Sequence, residues 1–454
     1  MTRPGPERKA LLCRISRSPG CRADTVKSDF FKMRLRHAAL ALAIGLVAFP
    51  GATPWAESNE STLELAEAAR DHRSRLDFDG KAFSGPALDR LLAAAREAQF
   101  LLIGEEHGIA ENPKLAAQLF TTLVTDGYDK LAIEISPPMA AILDTVVREN
   151  GIEGLRELYA SPGGEPAFFG MREEAELIAA ARGALPDATE VLWGVDYEVG
   201  SDRQLLHHLQ IMNRPPETDQ PLDALIAASD AARAKYEETG GPQYLFSFSG
   251  DPALVEAVRN AWPAPDDKAG QILDTLQSTL EINRSWTQGR GWESNAQRAA
   301  LLRSNFLRHW TRANENGGTP KVMVKLGASH IVRGRNNTGT FDLGTLLPEI
   351  AAVEGWRSLS VLVLPGKGSP TAVLNPSSWT YEPKPAKDNY AQGIELLTDA
   401  AYTDEFTLIE LTPLRPIVGS RISQYGPDLV RVIHGFDMLL VMSGSTASSD
   451  LDHD

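Results

Sequence analysis

Gln99-Phe100-Leu101-Leu102-Ile103-Gly104-Glu105-Glu106-His107-Gly108 is the stretch that decides the fold. Its apolar part is too short for a helix and has the length of a buried strand. It shows no polar alternation, so both of its faces are covered, as in a parallel strand packed between helices. At Gly104 the run stops, and a turn follows that carries two carboxylates and an imidazole. Glycine at both ends of this turn permits a sharp change of direction and a close approach of backbone. A plain strand-to-loop turn would need neither Glu105 nor His107.

The same kind of run recurs along the chain at 130–135, 190–195, 321–326, 359–364, 406–411 and 437–442. Segments with helical spacing separate most of these runs, at 86–98, 113–125, 137–149, 172–184 and 295–313. Three of them open with proline, which suits a first helical turn. The alternation predicts an α/β fold, a mostly parallel central sheet flanked by helices. Residues 201–291 hold no convincing strand and are punctuated by Pro215-Pro216, Gly240-Gly241-Pro242 and Pro263-Ala264-Pro265. They read as a helical insertion or cap between the two parts of the core, 57–200 and 292–442. The Pro-, Ser- and Lys-rich segment 366–392 reads as a long loop. The tail 443–454 is small, polar and acidic, and is expected to be disordered.

Met33-Arg34-Leu35-Arg36-His37 is a basic start; 38–49 is a short apolar stretch, and 50–56 supplies small and turn-forming residues. That order is the pattern of a secretory signal peptide over 33–56, implying a periplasmic or secreted protein with no stable membrane insertion after cleavage. Residues 1–32 read as an over-extended start, with a basic arm as the alternative. Removing 1–56 leaves 35 basic and 57 acidic residues, a net charge of −22. Such a surface repels phosphate backbones, so no nucleic-acid role is expected. Cys13 and Cys21 both precede Met33. The processed chain therefore offers no disulfide, thiolate metal site or cysteine nucleophile.

In an open parallel sheet, ligands bind beyond the carboxyl ends of the strands. The second run ends on Glu134, the third is followed by Asp196, and the fourth by Gly327-Ala328-Ser329-His330. Each residue has an ordinary reading: Glu134 or Asp196 as a helix cap, His107 as a loop histidine, His330 as a core histidine. Four strand ends with titratable groups favour a shared site, because buried carboxylates beside histidines are costly unless paired. There is no Gly-x-Ser-x-Gly elbow, His-Glu-x-x-His helix or phosphate-binding glycine loop. Arg172-Glu173-Glu174 reads as a solvated first helical turn, and His207-His208 as a solvent-facing pair.

These blocks resemble the superfamily that joins erythromycin-esterase-like hydrolases, ChaN-like haem-uptake proteins and the Tiki/TraB group. Leu102–Gly108 is similar to its Gly-Glu…His block, 131–134 to its second strand with a terminal glutamate, and 194–196 to the esterases' Gly-Phe-Asp. Arg298 and Asn305, seven apart on a helix, resemble the esterases' Arg…Asn helix, and 327–330 its Gly-x-x-His block. The single residue between Glu105 and His107 is the ChaN-like spacing. The resemblance implies a small-molecule substrate and an ester or lactone hydrolase. In it His107 is the general base, Glu134 or Glu105 orients it, and Arg298 or His330 stabilises the oxyanion. Asp196, Asn305 and Glu106 would contact substrate. That reading expects no cofactor. Two alternatives stand beside it. One is a Tiki-like metal-dependent hydrolase with a divalent ion on Glu105, His107, Glu134, Asp196 and His330. The other is a non-catalytic haem or iron-compound binder using Tyr197 or a histidine.

Overall fold

A computed structural model describes residues 59–161, 163–315, 317–386 and 393–451. The expected signal peptide and both cysteines lie outside them. In chain order the strands are β1 (Arg73–Phe78), β2 (Phe83–Ser84), β3 (Ala98–Glu105), β4 (Tyr128–Ile133), β5 (Leu192–Gly194), β6 (Lys321–Gly327), β7 (Arg357–Pro365), β8 (Pro370–Asn375), β9 (Thr380–Pro385), β10 (Phe406–Glu410) and β11 (Met438–Met442). Nine of them form one sheet in the order β2-β1-β10-β11-β7-β3-β6-β4-β5. From β11 to β5 all neighbours are parallel. Antiparallel pairing is confined to the β10, β1 and β2 edge. The fold is thus α/β with a mostly parallel central sheet.

β3 lies in the parallel block between β6 and β7, and all eight of its residues are buried. Its side chains alternate between two cores. Leu101 and Ile103 join the apolar faces of helices Pro86–Arg96, Glu111–Leu123, Pro137–Tyr159 and Arg172–Ala184. Phe100 and Leu102 join helices Asn59–Asp71, Gly291–Glu315, Leu343–Val353 and Pro427–Gly435 on the other side. Burying each such side chain contributes about 1.5–3 kcal/mol, which explains why the strand is apolar from Phe100 to Ile103.

Within 201–291, between β5 and β6, the described residues form helices and no strand, the longest lying wholly inside it being Asp219–Thr239 and Asp267–Thr287. The breaks fall at the punctuation. Gly240 ends the first of these in the left-handed conformation (φ 61°), and Asp266 caps the second by accepting from the Ala269 N–H at 2.8 Å.

Two expectations are corrected. Segment 366–392 is not simply a loop, because β8 and β9 pair in register from Pro370↔Pro385 to Asn375↔Thr380. The tail is ordered as far as Leu451. It runs back along the site edge, where the Ala110 N–H donates to the Thr446 carbonyl, the Ser448 N–H to Gly108, the Arg172 N–H to Ser449 and the Leu451 N–H to Gly170. Its order comes from backbone pairing and from carboxylates that accept from it, Glu111 for Thr446 and Glu173 for Ser449. Its own apolar content is slight, which is why composition reads it as disordered. Gly108 takes φ 89°, and a Cβ there would sit 2.1 Å from the Ala372 carbonyl oxygen. Only glycine lets the turn after β3 meet β8 so closely.

Candidate functional site

The carboxyl ends of β3, β6, β4 and β5 lie side by side. Register sets Glu105 opposite Gly327, and Lys325 beside both Ile103 and Ile133. The site is assembled on that edge. His107 Nδ1 donates to Glu105 Oε1 at 3.0 Å, and His330 Nδ1 donates to Asp342 Oδ2 at 2.7 Å. In each ring the Nε2 atom is buried and has no hydrogen-bond partner. Both face Glu134: His107 Nε2 is 3.7 Å from Oε2, and His330 Nε2 is 3.6 Å from Oε1. Glu134 is held in turn by the Gly327 N–H at 2.6 Å and by Arg298 Nη2 at 2.7 Å. Arg298 also donates through Nε to both Asp196 oxygens, at 3.0 and 3.1 Å.

A buried chain of charge runs behind His107. Lys325, 1% exposed, donates at 2.6 Å to both Glu105 and Glu174. Asn112 holds the second Glu105 oxygen. Burial would raise the Glu105 carboxyl, but the charges of Lys325 and His107 outweigh it and hold it at about 2. Glu134 is likewise held at about 2, because His330, His107 and Arg298 overcome its burial. For His107 burial favours the neutral ring. The Glu105 hydrogen bond and the charges of Glu105 and Glu134 prevail, raising it to about 9. Burial and Arg298 oppose protonation of His330, yet Asp342 and Glu134 carry it upward. Burial pushes Glu174 up to about 7 and Glu198 up to about 8.

A cavity of about 540 Å³ opens on this edge, lined by Glu134, Asp196, Arg298 and His330 and roofed by Ile282 and Trp286 of helix Asp267–Thr287. His107 lies to one side, its ring stacked on Phe168 (centroids 4.3 Å, 12° between planes). Phe168 does line the cavity. It holds φ 68°, uncommon for a bulky residue, with its N–H donated to the Tyr381 hydroxyl at 2.7 Å.

Glu105, His107, Glu134, Asp196, Arg298 and His330 are therefore brought together. Asn305 and Glu106 are not, and both depart from the expected substrate contact. Asn305 is buried and donates to the Val195 carbonyl at 3.0 Å, bracing the β5 end from behind. Glu106 is exposed and does not line the cavity; its N–H donates to Val363. The expectation of a solvated turn at 172–174 also fails, because Glu173 and Glu174 are buried and engaged by Ser449 and Lys325.

Four participants escaped the sequence reading: Lys325, Glu174, Asn112 and Asp342. Lys325 alone left a signal, a cation inside an otherwise apolar strand run. Glu174 and Asp342 resemble ordinary helix starts, and Asp342 is indeed the N-cap of helix Leu343–Val353.

No known family profile matches the sequence, and no curated protein matches it. Solved structures do. A protein from Bacillus cereus aligns at TM-score 0.54 and 16% identity, over 86% of this chain and 99% of its own. A succinoglycan biosynthesis protein aligns at TM-score 0.55 and 14% identity, with the same coverages, 86% and 99%. A histidine-to-asparagine mutant of the erythromycin esterase EreC, in its open conformation, aligns at TM-score 0.53 and 16% identity, over 80% and 95%. At such identities the likeness establishes a shared fold.

Proposed function

We propose that this chain is an exported hydrolase that cleaves an ester or lactone bond of a small molecule with an imidazole-activated water. One observation carries the reading: two imidazoles, each braced at Nδ1 by a carboxylate and unpartnered at Nε2, converge on one glutamate beside a cavity. A carboxylate that fixes the tautomer and steadies the imidazolium is the arrangement acyl transfer requires. The fold shared with an esterase supports the reading. Among the described residues no helix is long and apolar enough to cross a membrane.

In this mechanism His107 Nε2 takes a proton from water as the water oxygen adds to the ester carbonyl carbon. The carbonyl electron pair moves to oxygen, where Arg298 or the His330 imidazolium stabilises it. Collapse breaks the carbon–oxygen bond, and the alkoxide leaves with the proton carried by His107, giving acid and alcohol. The base must first be neutral. With His107 held at about 9, kcat/KM should climb through neutral pH and level off only near that value. A profile that falls above it makes His107 a proton donor instead.

The metal-dependent alternative fits these residues less well. Glu105, Glu134 and Asp196 already accept from Lys325, Asn112, Gly327 and Arg298. Among the described residues no group of three or more His, Cys, Asp or Glu side chains is placed so as to hold a metal ion, since His107 and His330 meet Glu134 at 3.7 and 3.6 Å rather than around a common centre. As for haem or iron, the Tyr197 hydroxyl is pushed upward by burial, and its ring faces the Arg298 guanidinium at 4.8 Å, a cation beside the would-be ligand. The decisive experiment is hydrolysis of an ester and macrolactone panel by wild type and His107→Gln, with and without a chelator. We expect a loss of about 10²–10⁴ in the variant and no chelator effect. Activity that survives His107→Gln would overturn the mechanism.

A further inference from the structure

The charges lining the cavity are matched, with one exception. Arg298 faces Asp196 and Glu134, and His330 faces Asp342 and Glu134. Glu198 is engaged by the Ser136 hydroxyl at 2.6 Å, and burial favours its neutral form. Arg335 lines the same cavity and has no ion pair among the described residues.

Arg335 is also presented on a built support. It pairs with Phe341 across a turn whose hub is Asn336. That side chain is buried, donates to the Ser329 carbonyl at 3.1 Å, and accepts from the N–H groups of Thr338 and Thr340 at 3.1 and 2.9 Å. The turn begins five residues after His330, and its backbone bridge places Arg335 at the mouth of the same cavity with its side chain exposed. An aromatic surface lies beside it. Arg335 Nη2 and Trp292 Cδ1 are 3.2 and 3.6 Å from the point a Cβ on Gly339 would occupy. Trp292 and Trp286 line the cavity yet remain 61% and 42% exposed, large apolar surfaces left to water in the free protein. The rest of the molecule would repel an anion, since the whole chain carries a formal charge of −15. An uncompensated guanidinium next to open indole faces therefore selects for a ligand with an apolar body and a negative substituent.

We propose that the substrate of this site is an ester bearing a carboxylate, held at the cavity mouth by Arg335 while its apolar part lies on Trp286 and Trp292. This deepens the hydrolase reading and rests on it. A carboxylate suits a lone planar guanidinium, which binds its two oxygens side by side; a phosphate dianion would call for further cations. Arg335 is thus a specificity-determining residue and takes no part in the bond-breaking step.

The test compares two matched esters, 4-nitrophenyl butyrate and mono-4-nitrophenyl glutarate, on the wild-type chain, Arg335→Gln and Arg335→Lys. Wild type should favour the anionic ester in kcat/KM, mainly through KM, and added salt should shrink the preference. The ratio of the two kcat/KM values should fall roughly tenfold in Arg335→Gln, the scale of one charge-assisted pair, and recover in part in Arg335→Lys. A ratio that differs by less than about twofold between wild type and Arg335→Gln, or a wild-type preference for butyrate, overturns the proposal. If neither ester is cleaved, calorimetry with glutarate and glutaramide decides the anion site separately from the hydrolase reading, which rests on the wider ester and macrolactone panel. Glutarate binding that is weakened in Arg335→Gln and absent for glutaramide supports the anion site. Equal binding, or none, overturns it.

Discussion

Lys325 shows how far one residue can set the state of this site. A lysine in the middle of a parallel sheet loses its hydration, so its charge must be met within the protein. Glu105 and Glu174 meet it, both at 2.6 Å, and Glu105 then passes the constraint to His107 through its shared oxygen. Removing the cation leaves two carboxylates in the interior without their partner. Breaking a buried pair from one side costs about 3–5 kcal/mol. Lys325→Met should therefore lose about that much in denaturant unfolding, and adding Glu174→Gln should return part of it. Equal stability of wild type and Lys325→Met would show that the three groups do not depend on one another.

At the scale of elements, what could be read depended on what holds each element in place. The strands of the parallel block, β3, β4, β6, β7 and β11, are packed between helices, so burial demands charge-poor runs and the sequence displays them. β1 lies near the antiparallel edge, where Arg73, Arg75 and Asp77 reach solvent and obscure the strand. β8 and β9 carry three prolines between them and form a two-stranded sheet of their own. The site was legible for the same reason as the core strands: Glu134, Asp196 and His330 stand where apolar runs stop. Asn112 and Asp342 were not, because nothing local separates a residue that supports a site from one that caps or opens a helix. The tail is the sharpest case, since backbone and carboxylate hydrogen bonds order it with little apolar burial. Deleting 443–454 should cost about 2–5 kcal/mol, given several bonds each worth about 0.5–1.5 kcal/mol. It should also release the Ala110 amide, which donates to Thr446, to faster hydrogen exchange. Unchanged protection at Ala110 would mean that the tail follows the fold and does not help to hold the site turn.

For the whole molecule the buried charges define a pH window. Glu105 and Glu134 ordinarily titrate near 4.5 and are held at about 2. They stabilise the fold above 4.5, and that contribution is lost as pH falls through about 2. His107 runs the other way: raised from 6.5 to about 9, it stabilises fully below 6.5 and ceases to do so as pH rises through 9. Glu174 and Glu198 add to the same limb. Burial raises them from 4.5 to about 7 and about 8, so forcing each to ionise in the interior works against the folded state. The thermal midpoint should therefore be highest near about pH 4.5, where the gain from Glu105 and Glu134 is nearly complete and Glu174 and Glu198 are still protonated in the folded state, and decline toward alkaline pH, the direction in which a neutral His107 base becomes more available. Stability and activity should separate along the pH axis, and His107→Gln should flatten the alkaline decline between about 7 and 9. Thermal scans across pH on both proteins measure this directly; an alkaline decline of equal steepness in both would mean that His107 is not charged in the folded state.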